Sequence, residues 1–244
     1  MNNKKYKVIL CEGETDQILI GYYLKQIGKW KYFKGKNLPF HKESINWFTN
    51  SEEDFLGIWQ VGGNNFTIPL KEVLELAHLE SSIQKLAIIT DHDDNDAETV
   101  RPSKLLSVIG KELNTEAAVD LQWIGQWKSL TFQDSFKAYS VIELCYILVP
   151  LNMQGALETF MLDSLAEQAP EKEGIICQAR DFINNIKSNV YLTKRREKVK
   201  AQLGVSLSVF SPDRIFTTMD ELLKSVNWAE FQTAHEQFKA LDNV

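Results

Sequence analysis

Short continuous apolar runs of strand length fall at residues 6–11, 55–61 and 85–90. Such runs are the pattern of strands buried on both faces. Between them the apolar period lengthens to that of a helix. Ile18, Leu19, Tyr22 and Leu24 predict a helix capped by Thr15 or Asp16 and stopped near Ile27 by Gly28. Gly62-Gly63-Asn64-Asn65 closes the second run, and Leu70, Val73, Leu74 and Ala77 then mark one face of a helix with Pro69 in its first turn. Pro102 opens a further helix with Leu105, Leu106 and Ile109 inward. Residues 121–124 read as a fourth strand. The apolar run 141–149, broken by Glu143 and ended by Pro150, fits a strand, although its period also allows a helix. Residues 30–54 are aromatic and basic, then acidic, and read as an irregular insertion or long functional loop.

After Gly155 only helical spacing remains. Leu157, Phe160, Met161 and Leu165 form one stripe, and Ile175, Ala179, Phe182, Ile183 and Ile186 another. A basic cluster is expected on a helix ending near Leu203-Gly204, and Phe231, Phe238 and Leu241 suggest a terminal helix. Strands alternating with helices, then helices alone, predict an α/β fold: a parallel sheet flanked by helices over residues 1–150, with a helical part over 151–244 packed on it.

Composition fits an ordinary globular chain: 244 residues, 44% hydrophobic and 25% charged. Cys11, Cys145 and Cys177 have no CxxC spacing, which argues for reduced, mostly buried thiols and against structural zinc. The basic start through Lys4 and Lys5 precedes an apolar run too short for a secretory signal, and no stretch has the length of a membrane span. A cytoplasmic protein is expected. Net charge is −6 with a pI near 5.4, a balance unfavourable to polyanions if spread evenly. It is not even. Lys25, Lys29, Lys31, Lys34 and Lys36 occupy a stretch free of acids, and Lys194, Arg195, Arg196, Lys198 and Lys200 enclose only Glu197. Two such patches suit a phosphate backbone.

The chemistry-bearing feature is a pair of acidic signatures, each following an apolar strand. The first is Cys11-Glu12-Gly13-Glu14-Thr15-Asp16 and the second Asp91-His92-Asp93-Asp94-Asn95-Asp96. In a parallel sheet, sites form beyond the carboxyl ends of the strands, so neighbouring strands would gather Glu12, Asp91 and Asp93. Carboxylates in one crevice repel unless a cation neutralises them, which points to magnesium or manganese. That ion would clamp a phosphodiester and activate a water, with Glu12 either a ligand or a general acid–base group.

These two motifs, in this order at strand ends, resemble the Toprim domain of topoisomerases, bacterial primases, recombination proteins and the overcoming-lysogenization-defect nucleases. The resemblance implies a catalytic or metal-binding role for Glu12, magnesium on Asp91 and Asp93, and, in the nuclease branch, metal on Asp16. Val61-Gly62-Gly63-Asn64-Asn65, residues 147–152 and Gly155-Ala156-Leu157-Glu158-Thr159-Phe160 further resemble a small stand-alone bacterial Toprim-like family of unknown function. By the same likeness Glu158 is a further ligand, and one of Lys194, Lys198 or Lys200 a phosphate or transition-state contact. Glu14 departs from the usual basic or small residue, and Asn95 interrupts an alternating aspartate series. No tyrosine context suits a topoisomerase. No GxxxxGK[ST] segment is present, so any ATPase would be a separate partner polypeptide.

Blander readings stand beside these. Glu12 could balance a helix N-terminus, Asp16 could be a cap, and Glu158 could be a first-turn acid. Asp94 and Asp96 suit solvated turn or capping positions, and His92 is expected to face away from its aspartates. An EF-hand from Asp91 would need Gly at Asp96 and Glu at Pro102. Trp30, Tyr32 and Phe33 among lysines suit base stacking or a core covered by lysine stems. The leading expectation is metal-dependent cleavage or phosphoryl transfer on nucleic acid. A non-catalytic module binding nucleic acid or a partner, and a small-nucleotide phosphohydrolase, are the alternatives.

Overall fold

β1 (Tyr6–Cys11) is buried at every position because it lies at the centre of a sheet covered on both faces. In the computed structural model, which describes residues 5–35, 38–80, 82–118, 121–214 and 218–244, β1 pairs in parallel with β4 (Phe55–Gln60) and β5 (Ile83–Asp91). β5 pairs in parallel with β7 (Tyr139–Val149). Antiparallel strands flank this core: β3 (Ile45–Thr49) on β4, β2 (Lys31–Tyr32) on β3, and β6 (Lys128–Gln133) on β7. The seven-stranded mixed sheet has the order β2-β3-β4-β1-β5-β7-β6.

Strand alternation divides the interior into two cores. Val8, Leu10, Leu86 and Ile88 meet α2 (Thr67–Glu80) and α3 (Val100–Glu112) through Leu70, Val73, Leu74, Leu105 and Ile109. Ile9, Cys11, Ile89 and Ile147 face the other way, toward α1 (Glu14–Gln26) and the C-terminal helices. Those helices are α4 (Leu157–Ala166), α5 (Pro170–Asn185), α6 (Arg195–Phe210), α7 (Met219–Lys224) and α8 (Gln232–Phe238). Phe160, Trp228 and Phe238 carry their part of this second core. Gln237 ties α8 to the sheet: its side-chain amide donates to the Leu148 carbonyl at 2.7 Å and accepts from the Leu151 N–H at 2.7 Å. No helix among the described residues is long and apolar enough to cross a membrane.

The structure corrects several expectations. Residues 30–54 are not an irregular insertion throughout: they supply β2 and β3, whose mixed composition hides the period. Residues 121–124 form no strand; only Ile124 makes an isolated bridge, to Tyr146. β6 lies just beyond, with Leu130 and Phe132 inward and Ser129, Thr131 and Gln133 outward, because only one of its faces is covered. The parallel sheet is therefore mixed at its edges. The ambiguous run at 141–149 is strand. α6 continues past Gly204 to Phe210. In α5 the inward positions are Ile176, Ala179 and Ile183, while Phe182 is exposed. Cys11 and Cys145 are buried and Cys177 is exposed. The basic start through Lys4, and Lys36, lie outside the described residues.

Candidate functional site

Cys11 stands beside Ile89 in the parallel register, so the next residue of β1 emerges beside Thr90 and Asp91. Glu12 is only 1% exposed. Its Oε1 accepts from the Thr90 hydroxyl at 2.5 Å and from the Asp91 N–H at 3.0 Å. The loop after β4 closes over it. Gly62 and Gly63, at φ +78° and +97°, turn their N–H groups onto the Glu12 carbonyl at 3.0 and 2.8 Å. A side chain would strain that left-handed turn. With its amide nitrogen toward the carboxylate, Asn64 donates to the two Glu12 oxygens at 2.9 and 2.7 Å.

Asp91, 2% exposed, accepts at Oδ1 from the Leu157 N–H at 3.0 Å, a free donor of the first turn of α4. Glu158, the next residue, is also buried, and its Oε2 has no hydrogen-bond partner. Asp16 lies in the first turn of α1. Its Oδ2 accepts from the Gly13 N–H at 3.0 Å, and its Oδ1 is buried without a partner. The N-cap is Gly13, not Thr15 or Asp16; Asp16, three residues on, reaches back to the Gly13 N–H and is also a member of the cluster. Burial, reinforced by Glu12, pushes the Asp16 carboxyl up to about 7. Burial, then Glu12 and Asp16, push Asp91 up to about 8 against the opposing charge of Arg196. Buried carboxylates in mutual repulsion hold on to their protons.

α6 supplies cations. The Arg196 guanidinium stands 3.0 Å from Asp91 Oδ2 and 3.9 Å from Glu12 Oε2. Lys200, one turn on, lies 3.5 Å from Glu158 Oε1. Arg101 in α3 donates to the Thr90 hydroxyl oxygen at 2.9 Å and the Asp91 carbonyl at 3.3 Å, bracing the end of β5.

Of the residues expected from sequence, Glu12, Asp16, Asp91 and Glu158 gather at the carboxyl ends of β1 and β5. Asp93 is half-buried and bears electrostatically on Asp91 and Arg196, but makes no hydrogen bond or ion pair among the described residues. Lys200 reaches the cluster; Lys194 and Lys198 form no ion pair with its carboxylates. His92 is buried, with Nε2 2.8 Å from Glu98 and Nδ1 3.1 Å from the Pro150 carbonyl, away from the cluster. Asp94 caps the short turn after it through the Ala97 N–H at 2.9 Å.

The sequence names Arg196 only within a basic patch and Asn64 only within a turn motif, and gives Thr90 and Arg101 no role. A usable signal existed for Arg196. A buried glutamate needs a charge partner, and Arg196 and Lys200 are four apart on a helix, hence on one face.

Among the described residues no three His, Cys, Asp or Glu side chains stand arranged to hold a metal ion. The donor set nevertheless suits a hard divalent cation: all its atoms are carboxylate oxygens, and two of these are buried and unpartnered. Arg196 now supplies the positive charge such an ion would bring.

No curated protein matches the chain. It is similar to the crystal structure of hypothetical protein PH0156 from Pyrococcus horikoshii OT3, at 12% identity and a TM-score of 0.46 over 90% of this chain and 95% of that one. The family described as protein of unknown function (DUF3226) matches residues 6–241, and the chain belongs to that family.

Proposed function

We propose that this protein is a divalent-metal-dependent, Toprim-type enzyme that cleaves or transfers phosphodiesters of nucleic acid. The observation that carries the reading is the convergence of Glu12, Asp16, Asp91 and Glu158 at the ends of two adjacent parallel strands, with buried oxygens on Asp16 and Glu158 lacking partners. Glu12 and Asp91 would hold magnesium or manganese, with Asp16 and Glu158 around them and Asp93 at the mouth. The ion would polarise the phosphodiester and lower the pKa of an attacking water. Arg196 and Lys200 then have a second use: released from the carboxylates, their cationic heads would meet phosphate oxygens. Thr90 and Asn64 fix the Glu12 carboxylate by donating to it, and Arg101 holds Thr90 in place. Manganese binding by calorimetry, followed by cleavage of labelled DNA and RNA with manganese, tests the reading. Asp91→Asn should lose both. Equal activity in that variant, or no metal binding by the unaltered protein, rejects it.

A second reading has its own observation. Arg196 already neutralises Glu12 and Asp91, and Lys200 already pairs with Glu158. A non-catalytic module binding nucleic acid or a partner protein needs nothing more from these groups than a stable cleft. It predicts salt-sensitive binding with no turnover under any metal.

A further inference from the structure

A groove of about 570 Å³ runs over α1, between the β2–β3 edge and α7. Its floor includes Gln17, Gly21 and Lys25. These positions span about 12 Å of helix at ~1.5 Å per residue, starting one residue from Asp16. Tyr32 and Phe48 form one wall with their rings edge to face at 5.8 Å, and Tyr32 is 53% exposed. The Lys34 ammonium lies 5.8 Å from the Tyr32 ring centre. Lys224 stands on the other wall. Three lysines line the groove against a single acid, Asp220, which accepts the Tyr22 hydroxyl at 2.8 Å. The aromatic and basic stretch of the sequence is thus sorted by the fold. Trp30 is buried and Phe33 packs on Phe55, leaving the Tyr32 ring open to solvent beside cations.

We propose that this groove carries single-stranded nucleic acid toward the carboxylate cluster, a proposal that rests on the phosphodiester reading of that cluster. Tyr32 stacks a base, and Lys25, Lys34 and Lys224 contact successive phosphates. An exposed ring beside lysines recognises unpaired bases, whose faces are free, and not a duplex, whose faces are stacked. In a protein of net charge −6 this local excess of lysine gives the polyanion a landing strip.

The test uses the full chain in chelator, so that binding is read without cleavage. A fluorescein-labelled single strand about ten nucleotides long is titrated by anisotropy, in DNA and RNA forms, against an unlabelled duplex competitor. Tyr32→Ala and Lys224→Glu, on separate elements, should each weaken binding about ten-fold. Tyr32→Phe should retain it, and Lys34→Ala should flatten the salt dependence. Lys111→Ala, on α3 and outside both groove and cluster, should bind the strand as the unaltered protein does. Thermal melting of each variant confirms that it is folded. Failure of any strand to bind, duplex competing as well as single strand, or Tyr32→Ala binding like the parent overturns the proposal. The two readings fail separately. Loss of binding in the groove variants with no manganese binding anywhere removes the metal and keeps the groove. Manganese-dependent cleavage unaffected by the groove variants removes the groove and keeps the metal.

Discussion

At the scale of single residues, the cluster stores charge that the fold cannot hydrate. Asp91 and Asp16 have ordinary carboxyl values of 3.8, raised to about 8 and about 7 in the folded protein by burial first and by Glu12 next. The folded state therefore keeps protons that the unfolded chain has released. Their stabilising contribution is complete below 3.8 and is lost as pH rises through about 7 and then about 8. Urea unfolding in chelator from about pH 5 to about pH 9 should show stability falling with pH, with a flatter profile in Asp91→Asn. Manganese affinity, by calorimetry, should rise over the same window, with proton release that disappears above it. A flat profile in the unaltered protein would deny that burial and repulsion raise these carboxyls. Arg196 is the internal counter-charge. Above about pH 8, where Asp91 is ionised, Arg196→Gln should cost about 1–2 kcal/mol in metal-free protein, below the usual cost of breaking a buried pair because Arg196 is half exposed. The same variant should bind manganese more tightly than the parent, since the ion no longer displaces a guanidinium.

At the scale of elements, legibility followed burial. β1, β4 and β5 are covered on both faces and wrote themselves as unbroken apolar runs, so their ends, and with them Glu12 and Asp91, were placed within a residue or two. β3 and β6 lie outside the parallel core, where polar residues are tolerated. Asn46 and Thr49 in β3, and Ser129 and Thr131 in β6, dilute the apolar signal. The turn glycines were visible as punctuation, but their service to Glu12 was not, because it depends on a loop folding back across the strand end. The resemblance names Asp16 and Glu158, whereas helical spacing puts Arg196 and Lys200 on one face and only the fold shows that this face meets the ends of β1 and β5. Gly21 shows what sequence hides at a helix–sheet contact. A Cβ there would stand 2.9 Å from the tip of the Phe48 ring, which is itself buried and forms a wall of the groove. Gly21→Ala should therefore destabilise by about 1–3 kcal/mol through overpacking, more than the helix gains from alanine. Urea midpoints measure it, and Phe48→Leu in the same background should recover part of the loss. An unchanged midpoint in Gly21→Ala would mean that α1 has room to shift.

At the scale of the whole molecule, the α1 face of the sheet is completed only by the C-terminal helices. Phe238 lies 5.1 Å from the Tyr23 ring and 5.3 Å from Phe160, and Trp228 sits against Phe160 and Phe231. The Gln26 side chain donates to the Val226 carbonyl and accepts from the Trp228 N–H, both at 2.8 Å. These contacts bind α1 to the chain's last quarter. The same helices hold Glu158 and Arg196 over the strand ends, so the candidate site spans both parts of the sequence. Residues 1–150 expressed without the rest would expose Ile9, Leu19, Ile20, Tyr23 and Ile147 as one apolar face, too much apolar surface for a monomer to leave wet. That fragment should lose its near-ultraviolet circular dichroism, bind a hydrophobic dye and self-associate. Supplying residues 151–244 as a separate chain should restore native dichroism to the mixture only if the two halves reassemble this interface. A fragment 1–150 that is monomeric and cooperatively folded would show instead that the sheet is stable without its second cover, and that the helices were added to build the site.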